Sequence, residues 1–471
     1  MRITVLSGSP KGDMSVTLQS VQYLGKTLPD HSFDVYHIGQ TIAKLAKNAD
    51  AWDDVIAAVR TSDAILWAFP LYVFLVPSQY KRFIELVSER GAQGAFEGKY
   101  AAALTTSINF FDHTAHNYIH GVCEDLGMRF VDSFSAGMND LTDAGRRDQL
   151  RWFGADFVEA VETQTATARR FPPFEPSTLE YAPGGPGKRF TAAGKRVLVV
   201  VDSLPEEGNL ARMIQRFRQS FEYEPELVSL ENVDIKGGCL GCIRCGLNNE
   251  CQYSGKDGFI DFYNEKIREA DILVIAGTIR DRYLSWEWKR FFDRSFFNTH
   301  TPTMVGKQLA FIVSGPLNQV DNLRQILIGM TEWQEANLAG MVSDECADSE
   351  TLDGLLEGLA KRLTMCADRG VVRPRTFLGV GGAKIFRDEI WGHLRFAFQA
   401  DHKYYSSHGF YDFPQKDLKT RLVNLAMITL TKIPAFREEF FKRIRSEMIK
   451  PHLRILDQMD AQGEAEDRHA D

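Results

Sequence analysis

The densest group of reactive side chains in this 471-residue chain is a run of four cysteines. Cys239, Cys242, Cys245 and Cys251 follow the spacing C-x2-C-x2-C-x5-C, and glycines precede and separate them. Three thiols at steps of three on a glycine-rich backbone can curve around one compact object, and the fourth can close its far side. An iron–sulfur cube suits this arrangement, because each of its four irons takes one thiolate. The spacing therefore predicts a 4Fe–4S ligand set.

Two other interpretations of this run remain open from the residues alone. A single zinc ion fits the spacing less well, because zinc sites usually take two cysteine pairs from separate places in the chain. The run can also be a loop that keeps its thiols and holds no metal. Cys123, Cys346 and Cys366 stand alone and are expected as small core residues. An odd number of clustered cysteines is not typical of a disulfide framework and favours a reducing cytoplasm.

A second stretch that could bind a ligand lies near the amino terminus, where residues 7–17 read Ser-Gly-Ser-Pro-Lys-Gly-Asp-Met-Ser-Val-Thr. Backbone N–H groups and hydroxyls in such a loop can converge on a phosphate, and a helix start favours negative charge. The order matches neither a Walker loop nor G-x-G-x-x-G. We predict that it holds a monoester phosphate such as that of FMN through Ser9, Lys11, Ser15, Val16 and Thr17. The alternative is a capped turn without a ligand.

The elements that must position these loops alternate between apolar runs and helix-length amphipathic stretches. Such alternation predicts a parallel sheet covered by helices on both faces, and its ligand lies at the carboxyl ends of the strands. In the first part of the chain the predicted strands are 3–7, 33–38, 64–69, 100–106 and 130–135. Five strands with helices between them predict a flavodoxin-like doubly wound domain.

A proline- and glycine-rich linker over 171–194 separates this domain from a second round of the same order. The segments 62–68 and 270–276 are alike, and so are 80–85 and 288–293, in both cases 208 residues apart. A shared offset over more than twenty residues indicates an internal duplication. The predicted fold class is therefore α/β, with two tandem flavodoxin-like domains as a pseudo-dimer and a mainly helical carboxyl-terminal extension.

The hydroxyl-rich loop resembles the phosphate loop of the NADPH-dependent FMN reductase family, which has a flavodoxin-like fold. The stretch Pro70-Leu71-Tyr72-Val73-Phe74, followed by Tyr-Lys-Arg-Phe at 80–83, is also similar to that family. The resemblance implies that Pro70 to Phe74 run beside an isoalloxazine ring, with Thr106 and Ser107 on its other flank. For Tyr72 and Phe74 the alternative is ordinary packing of a loop on the core.

The cysteine run resembles the cluster motif of iron–sulfur flavoproteins in the same superfamily. Those proteins carry one FMN and one 4Fe–4S cluster per subunit, although some relatives keep similar cysteines without a cluster. The second half departs from the FMN pattern, because its first turn carries Pro205 followed by Glu206 and Glu207. The carboxylates of these two glutamates would repel a phosphate. We expect that this half has lost its own FMN. Arg280 and Arg282 are expected to face the flavin or the other half, or to form a solvated loop.

The expected domains are 1–170 with FMN, the linker 171–194, 195–370 with the cysteines, an extension over 371–460 and a disordered tail over 461–471. The aromatic segment 401–414 is expected to be either a lid over the flavin or a cover on the sheet edge.

Residues 416–454 hold ten Lys and Arg against four Asp and Glu. This excess of basic residues suits a surface that contacts a membrane or a partner protein, or a plain helical appendage.

Bulk composition excludes several classes of function. A net charge of −8 does not indicate nucleic-acid binding, and no apolar window reaches membrane-spanning length. Together with the motifs and the resemblance, this composition leads us to predict a cytoplasmic flavin-dependent oxidoreductase that passes electrons between FMN and a 4Fe–4S cluster and can form a homodimer. NAD(P)H or reduced ferredoxin would be the donor. The alternatives are a cluster-free NAD(P)H-dependent FMN or quinone reductase and a non-catalytic redox sensor or scaffold.

Overall fold

The computed structural model describes residues 1–175, 177–185, 187–192, 194–204 and 207–470. Residues 1–405 form one compact unit, and residues from Ser406 onward form a second. Pro205 and Glu206, on which the predicted acidic turn partly rests, lie outside the described residues, as do Pro176 and Pro186 of the linker.

The amino-terminal half is a five-stranded parallel sheet with helices on both faces. Its strand order is β2-β1-β3-β4-β5, and the middle strands are buried on both faces, as a covered parallel sheet requires. The strands are β1 (Arg2–Ser7), β2 (Ser32–Tyr36), β3 (Ala64–Pro70), β4 (Tyr100–Ser107) and β5 (Arg129–Gly137). The helices are α1 (Val16–Thr27), α2 (Ile38–Leu45), α3 (Ala49–Thr61), α4 (Ser78–Glu89), α5 (Asp112–Asp125) and α6 (Ala144–Glu162).

The second half repeats this arrangement after the linker. Its sheet runs β7-β6-β8-β10-β11 in parallel, and the short β9 pairs antiparallel with the end of β8. The strands are β6 (Val197–Val201), β7 (Glu226–Ser229), β8 (Ile272–Arg280), β9 (Tyr283–Leu284), β10 (Gln308–Ser314) and β11 (Asn337–Ser343). The helices are α7 (Asn209–Gln219), α8 (Cys245–Asn248), α9 (Phe259–Phe262), α10 (Trp286–Ser295), α11 (Asp321–Trp333) and α12 (Ser349–Arg369). The predicted fold class is confirmed.

The two halves meet through α4 and α10 in a reciprocal set of hydrogen bonds. The ammonium of Lys81 donates to the carbonyl of Arg280 at 3.0 Å, and that of Lys289 donates to the carbonyl of Tyr72 at 2.9 Å. Each partner lies 208 residues from its counterpart, the offset found in the sequence. An interface in which the same patch is used twice is the mark of a two-fold dimer. A single chain therefore makes the interface of a pseudo-dimer.

Two backbone N–H groups complete this symmetry. The N–H of Ser78 donates to Asp293 Oδ2 at 2.7 Å, and the N–H of Trp286 donates to Glu85 Oε1 at 2.6 Å. Each carboxylate caps the first turn of the helix in the other half, where free N–H groups and the helix dipole favour a negative charge.

The turn after the third strand of each half keeps its backbone conformation while its side chains differ. Val73 and Phe74 have φ of 35° and 68°, and their counterparts Asp281 and Arg282 have φ of 45° and 61°. Arg282 is buried and donates two hydrogen bonds to Asp125, at 2.5 and 2.7 Å, on α5 of the first half. Of the alternatives weighed for Arg282, the structure therefore shows that it faces the other half.

The chain after the second sheet is helical. The helices are α13 (Phe377–Trp391), α14 (Gln399–Ser407), α15 (Leu418–Leu430) and α16 (Pro434–Ala470). Pro451 lies inside α16, and the expected disordered tail continues this helix as far as Ala470, in a segment rich in helix-forming residues. None of the described helices is long and apolar enough to cross a bilayer. The domain boundaries given above stay predictions.

Candidate functional site

A cavity of about 320 Å³ opens at the carboxyl ends of the first sheet and extends towards the second half. The loops that follow β1, β3 and β4 reach it, as parallel strands with a common direction require. All twelve residues predicted to contact FMN lie on its wall: Ser9, Lys11, Ser15, Val16, Thr17, Pro70, Leu71, Tyr72, Val73, Phe74, Thr106 and Ser107. The structure thus brings these residues together, and their contact with FMN stays a prediction.

The hydroxyl-rich loop holds its side chains inward. Ser9, Ser15 and Thr17 are at most 2% exposed, and Thr17 Oγ1 lies 2.6 Å from Thr106 Oγ1 at the end of β4. Ser15 occupies the N-cap of α1 without a side-chain capping bond to the described backbone. The Ser15 hydroxyl is therefore available to a ligand at the start of a twelve-residue helix, where an anion is favoured.

The loop depends on a close approach of α2. A β-carbon at Gly39 would overlap the carbonyl oxygen of Gly8 and lie 2.7 Å from the carbonyl carbon of Ser9. The hydroxyl-rich loop therefore rests on α2 at a point where only glycine fits.

Tyr72 presents a buried hydroxyl that has no hydrogen-bond partner among the described residues. Burial raises the pKa of this phenol, and the neighbouring Cys239 thiolate raises it further. Buried polar groups are almost always paired, so the Tyr72 hydroxyl requires a ligand or water as its partner. Its loop is held in an unusual conformation, since Val73 is β-branched and has a positive φ, and Thr114 Oγ1 donates to the carbonyl of Phe74 at 2.7 Å.

The cysteine loop of the second half lies against this same site. Gln79 Nε2 donates to the carbonyl of Cys239 at 3.0 Å. A β-carbon at Gly241 would lie 2.8 Å from Tyr72 Cζ and 3.0 Å from Lys11 Cε, so this glycine, at φ 61°, allows the two loops to touch. Ile243, also at positive φ, lines the cavity. Residues separated by about 170 positions in sequence are thereby in contact.

The four cysteines are close enough for their charges to interact. Burial, followed by the nearby thiolates, raises the pKa of Cys245 to about 12. Burial is also the main cause that raises the pKa of Cys239 to about 12, with contributions from Asp293, Cys251 and Cys242. Both thiols are therefore harder to ionise than an exposed cysteine.

Within the described residues, no three His, Cys, Asp or Glu side chains form a group that could hold a metal ion. The assignment of Cys239, Cys242, Cys245 and Cys251 as cluster ligands stays a prediction.

At the corresponding place in the second half, the linker and carboxylates fill the space. Asn209, the first residue of α7, accepts from the N–H of Tyr181 at 2.9 Å and donates to the carbonyl of Leu179 at 2.8 Å. Asp344 accepts from Ser314 Oγ, the counterpart of Thr106, at 2.7 Å. Burial raises the pKa of nearby Asp202. A phosphate there would meet linker backbone and acidic groups in place of free hydroxyls.

Sequence reasoning missed a second wall of the cavity, which is aromatic and comes from four regions. Phe110 follows β4, Trp333 ends α11, and Phe386 and Phe398 belong to the carboxyl-terminal region, together with His300 after α10. These residues carry no periodic or spacing signal. The only available hint was the aromatic richness of the third region, whose predicted lid segment began further on, at Asp401.

Comparison with known proteins identifies the family. A family model described as NADPH-dependent FMN reductase matches residues 1–140 and 195–342, which together make up more than half of the chain. The chain belongs to the NADPH-dependent FMN reductase family. It matches this family of flavin-dependent oxidoreductases twice, once in each half, so the tandem duplication is confirmed. The regions outside the FMN reductase matches include α6, the linker and α12 to α16.

Individual relatives match shorter stretches of the chain. An FMN-dependent NADH:quinone oxidoreductase of Vibrio parahaemolyticus is 36% identical over 66 residues, 12% of this chain and 34% of that protein. One of Shewanella denitrificans is 32% identical over 79 residues, 15% of this chain and 40% of that protein. The chain thus spans about a third to two fifths of the length of these relatives. Among solved structures, FerB, a flavoenzyme NAD(P)H:(acceptor) oxidoreductase from Paracoccus denitrificans, is 21% identical with a TM-score of 0.30, covering 34% of this chain and 97% of its own.

Proposed function

We propose that this protein is an FMN-dependent oxidoreductase that uses NAD(P)H to reduce a small acceptor of the quinone class. The observation that carries the proposal is the convergence of the buried hydroxyl loop, the unpartnered Tyr72 hydroxyl and the strained 72–74 turn on one cavity. Membership of the FMN reductase family supports the cofactor, and the names of the two bacterial relatives support the acceptor class.

The residues fit FMN in their chemistry. Ser9, Ser15 and Thr17, with Lys11 and the start of α1, would hold the phosphate, because hydroxyls, a cation and helix N–H groups all favour an anion. Tyr72 and Phe74 would flank the ring. The chemistry supplied by bound FMN is acceptance of a hydride from NAD(P)H and release of its electrons to an acceptor. The apolar cavity wall excludes water from the reacting atoms.

We further propose that the four cysteines hold a 4Fe–4S cluster, which would supply one-electron transfer beside the flavin site. The specific observation in its favour is the contact of the cysteine loop with Tyr72 and Lys11. A cluster-free NAD(P)H-dependent quinone reductase accounts for the family and the relatives equally well, and in that case the loop serves only as a wall of the cavity.

Titration of the protein with FMN, followed by flavin fluorescence, tests the first proposal. We expect one FMN per chain, because linker backbone and an acidic side chain occupy the corresponding position among the described residues of the second half. Ser15→Ala/Thr17→Ala is expected to weaken FMN binding by about 10²- to 10⁴-fold, since it removes two hydrogen bonds to a charged group that contribute about 1.5–3 kcal/mol each. The matched control is Thr27→Ala at the other end of α1. Wild-type affinity in the double variant would contradict the phosphate assignment.

Iron and acid-labile sulfide analysis of anaerobically purified protein distinguishes a protein with a 4Fe–4S cluster from the cluster-free reductase. A 4Fe–4S cluster would give about four irons per chain and broad absorption at about 400 nm. Cys242→Ser, which changes the exposed ligand, is expected to lower the iron content, whereas Cys366→Ser is the control, because Cys366 is a buried thiol of α12. Fewer than about two irons per chain would reject the cluster and leave the cluster-free reductase.

A further inference from the structure

His300 and Asp401 form a buried pair on the cavity wall, outside the residues discussed above as FMN contacts. His300 Nδ1 lies 2.7 Å from Asp401 Oδ2, and the backbone N–H of His300 donates to Asp401 Oδ1 at 2.9 Å. Asp401 is fully buried and also accepts from the hydroxyls of Thr299 and Thr301. Because a carboxylate only accepts, Nδ1 carries a proton and Nε2 is the nitrogen left for a ligand.

An unusual backbone conformation, a hydrogen bond and a stacked ring hold His300 in place beside Asp401. Thr299, which precedes His300, is β-branched and has φ 54° and ψ −127°. The Tyr405 hydroxyl donates to the carbonyl of His300 at 3.1 Å, and the imidazole stacks on Phe386 with a centroid distance of 3.9 Å. Strained backbone that surrounding contacts enforce is concentrated at functional sites.

His300 is connected to the predicted flavin loop through a continuous line of rings. Phe74 lies 5.1 Å from Phe110, Phe110 lies 4.8 Å from Phe386, and Phe386 stacks on His300. A β-carbon at Gly382 of α13 would overlap the Phe110 ring, so α13 packs directly on the first half. One apolar chamber therefore has the predicted flavin loop at one side and an oriented imidazole at the other.

We propose that His300 is the proton donor to the electron acceptor and that Asp401 is the residue that positions it. This inference rests on the proposed function. NAD(P)H delivers two electrons and one proton, whereas reduction of a quinone to a hydroquinone consumes two electrons and two protons. The second proton passes from Nε2 of the imidazolium to an oxygen of the acceptor, and water returns a proton to Nε2. The Asp401 carboxylate stabilises the imidazolium and fixes the orientation of the ring.

Among the described residues, α14 supplies the polar contacts of His300. Asp401 pairs with its imidazole, and the Tyr405 hydroxyl donates to its backbone carbonyl, while the hydroxyl of Thr299 donates to Asp401. The other elements packed on the ring present aromatic side chains, namely Phe296, Phe386 and Phe398. Asp401 is therefore the charged group in direct contact with the imidazole among the described residues.

The test compares two acceptors in the reoxidation of dithionite-reduced holoenzyme by stopped flow. His300→Asn keeps an amide that can donate to Asp401 but removes the Nε2 donor. We expect it to slow reoxidation by menadione about 10²-fold, within the range for loss of a general acid. Reoxidation by ferricyanide, which takes an electron without a proton, is expected to stay within about twofold of wild type. Equal slowing with both acceptors would overturn the proton role.

Two further readouts separate proton donation from a structural role. Asp401→Asn should change the pH profile of reoxidation by menadione and leave that of reoxidation by ferricyanide unchanged, because the carboxylate that orients the imidazole is lost. Binding of 4-methoxyphenol to the oxidised holoenzyme, followed by flavin absorbance, should weaken about tenfold in His300→Asn and recover in His300→Gln, in line with one hydrogen bond. Unchanged profiles and unchanged phenol binding would overturn the proposal even if a variant were unstable.

The outcomes distinguish this inference from the function on which it rests. A wild-type protein that binds no FMN would overturn both. A His300→Asn protein that binds FMN with wild-type affinity and reduces menadione at the wild-type rate would overturn only the role of His300.

Discussion

Replacing Asp293 with alanine is expected to lower the free energy of unfolding by about 3–5 kcal/mol, the cost of leaving a buried charge without its partner. Asp293 pairs with Lys289 on α10, and both side chains are fully buried at the junction of the halves. Desolvation raises the pKa of the Asp293 carboxyl and lowers that of the Lys289 ammonium, so burial opposes both charges. Loss of Asp293 also leaves the N–H of Ser78 without its acceptor.

Urea unfolding followed by tryptophan fluorescence measures this effect. Asp148→Ala is the matched control, because it breaks an exposed pair with Arg151 on α6 and is expected to cost less than about 1 kcal/mol. Lys289→Met/Asp293→Leu, which removes both charges, should recover a large part of the loss. A cost below about 1 kcal/mol for Asp293→Ala would show that the reciprocal contacts contribute little to holding the halves together.

Replacing Gly39 with alanine is expected to weaken FMN binding by about 10²- to 10⁴-fold, which corresponds to the loss of about two charge-assisted hydrogen bonds. The added methyl group would meet backbone atoms of Gly8 and Ser9, which cannot rotate away as a side chain can. The phosphate loop must therefore move, and the hydroxyls of Ser9 and Ser15 move with it. Flavin fluorescence in an FMN titration measures the change.

Gly25→Ala is the matched control for this substitution. It lies within α1, and its β-carbon would make only an ordinary contact with Phe33 at 3.6 Å. We expect FMN binding to be unchanged and stability to rise slightly, because alanine favours a helix by about 1 kcal/mol over glycine. If Gly39→Ala bound FMN as wild type does, the loop between β1 and α1 would not be the phosphate site.

Most of the fold could be predicted from the sequence, because its signals are local or repeated. The strands at 64–69 and 100–106 were each predicted within one residue of β3 and β4. Buried parallel strands read as continuous apolar runs, so their positions are clear without tertiary information. The 208-residue offset predicted the duplication, and it reappears in the reciprocal bonds of Lys81 and Lys289.

The candidate site was only half predictable. The twelve residues predicted to contact FMN lie at or just after the carboxyl ends of strands and at the start of α1, and the topology of a doubly wound sheet brings these positions together. No comparable rule links the cysteine loop to Tyr72. That contact depends on how the two halves pair and on the conformations of Gly241 and Ile243. The filling of the second half's ligand position by Leu179 and Tyr181 depends in the same way on the path of a linker without regular structure.

The sequence by itself determined two things about this protein: a duplicated α/β architecture and a hydroxyl-rich loop suited to phosphate. Both follow from neighbouring residues, whose periodicity and chemistry act over a few positions. Only the tertiary structure decided that His300 meets Asp401, 101 positions away, and that the cysteines lie beside the first half's cavity. The physical reason is that contacts between distant segments depend on packing and chain path, which local side-chain patterns do not specify.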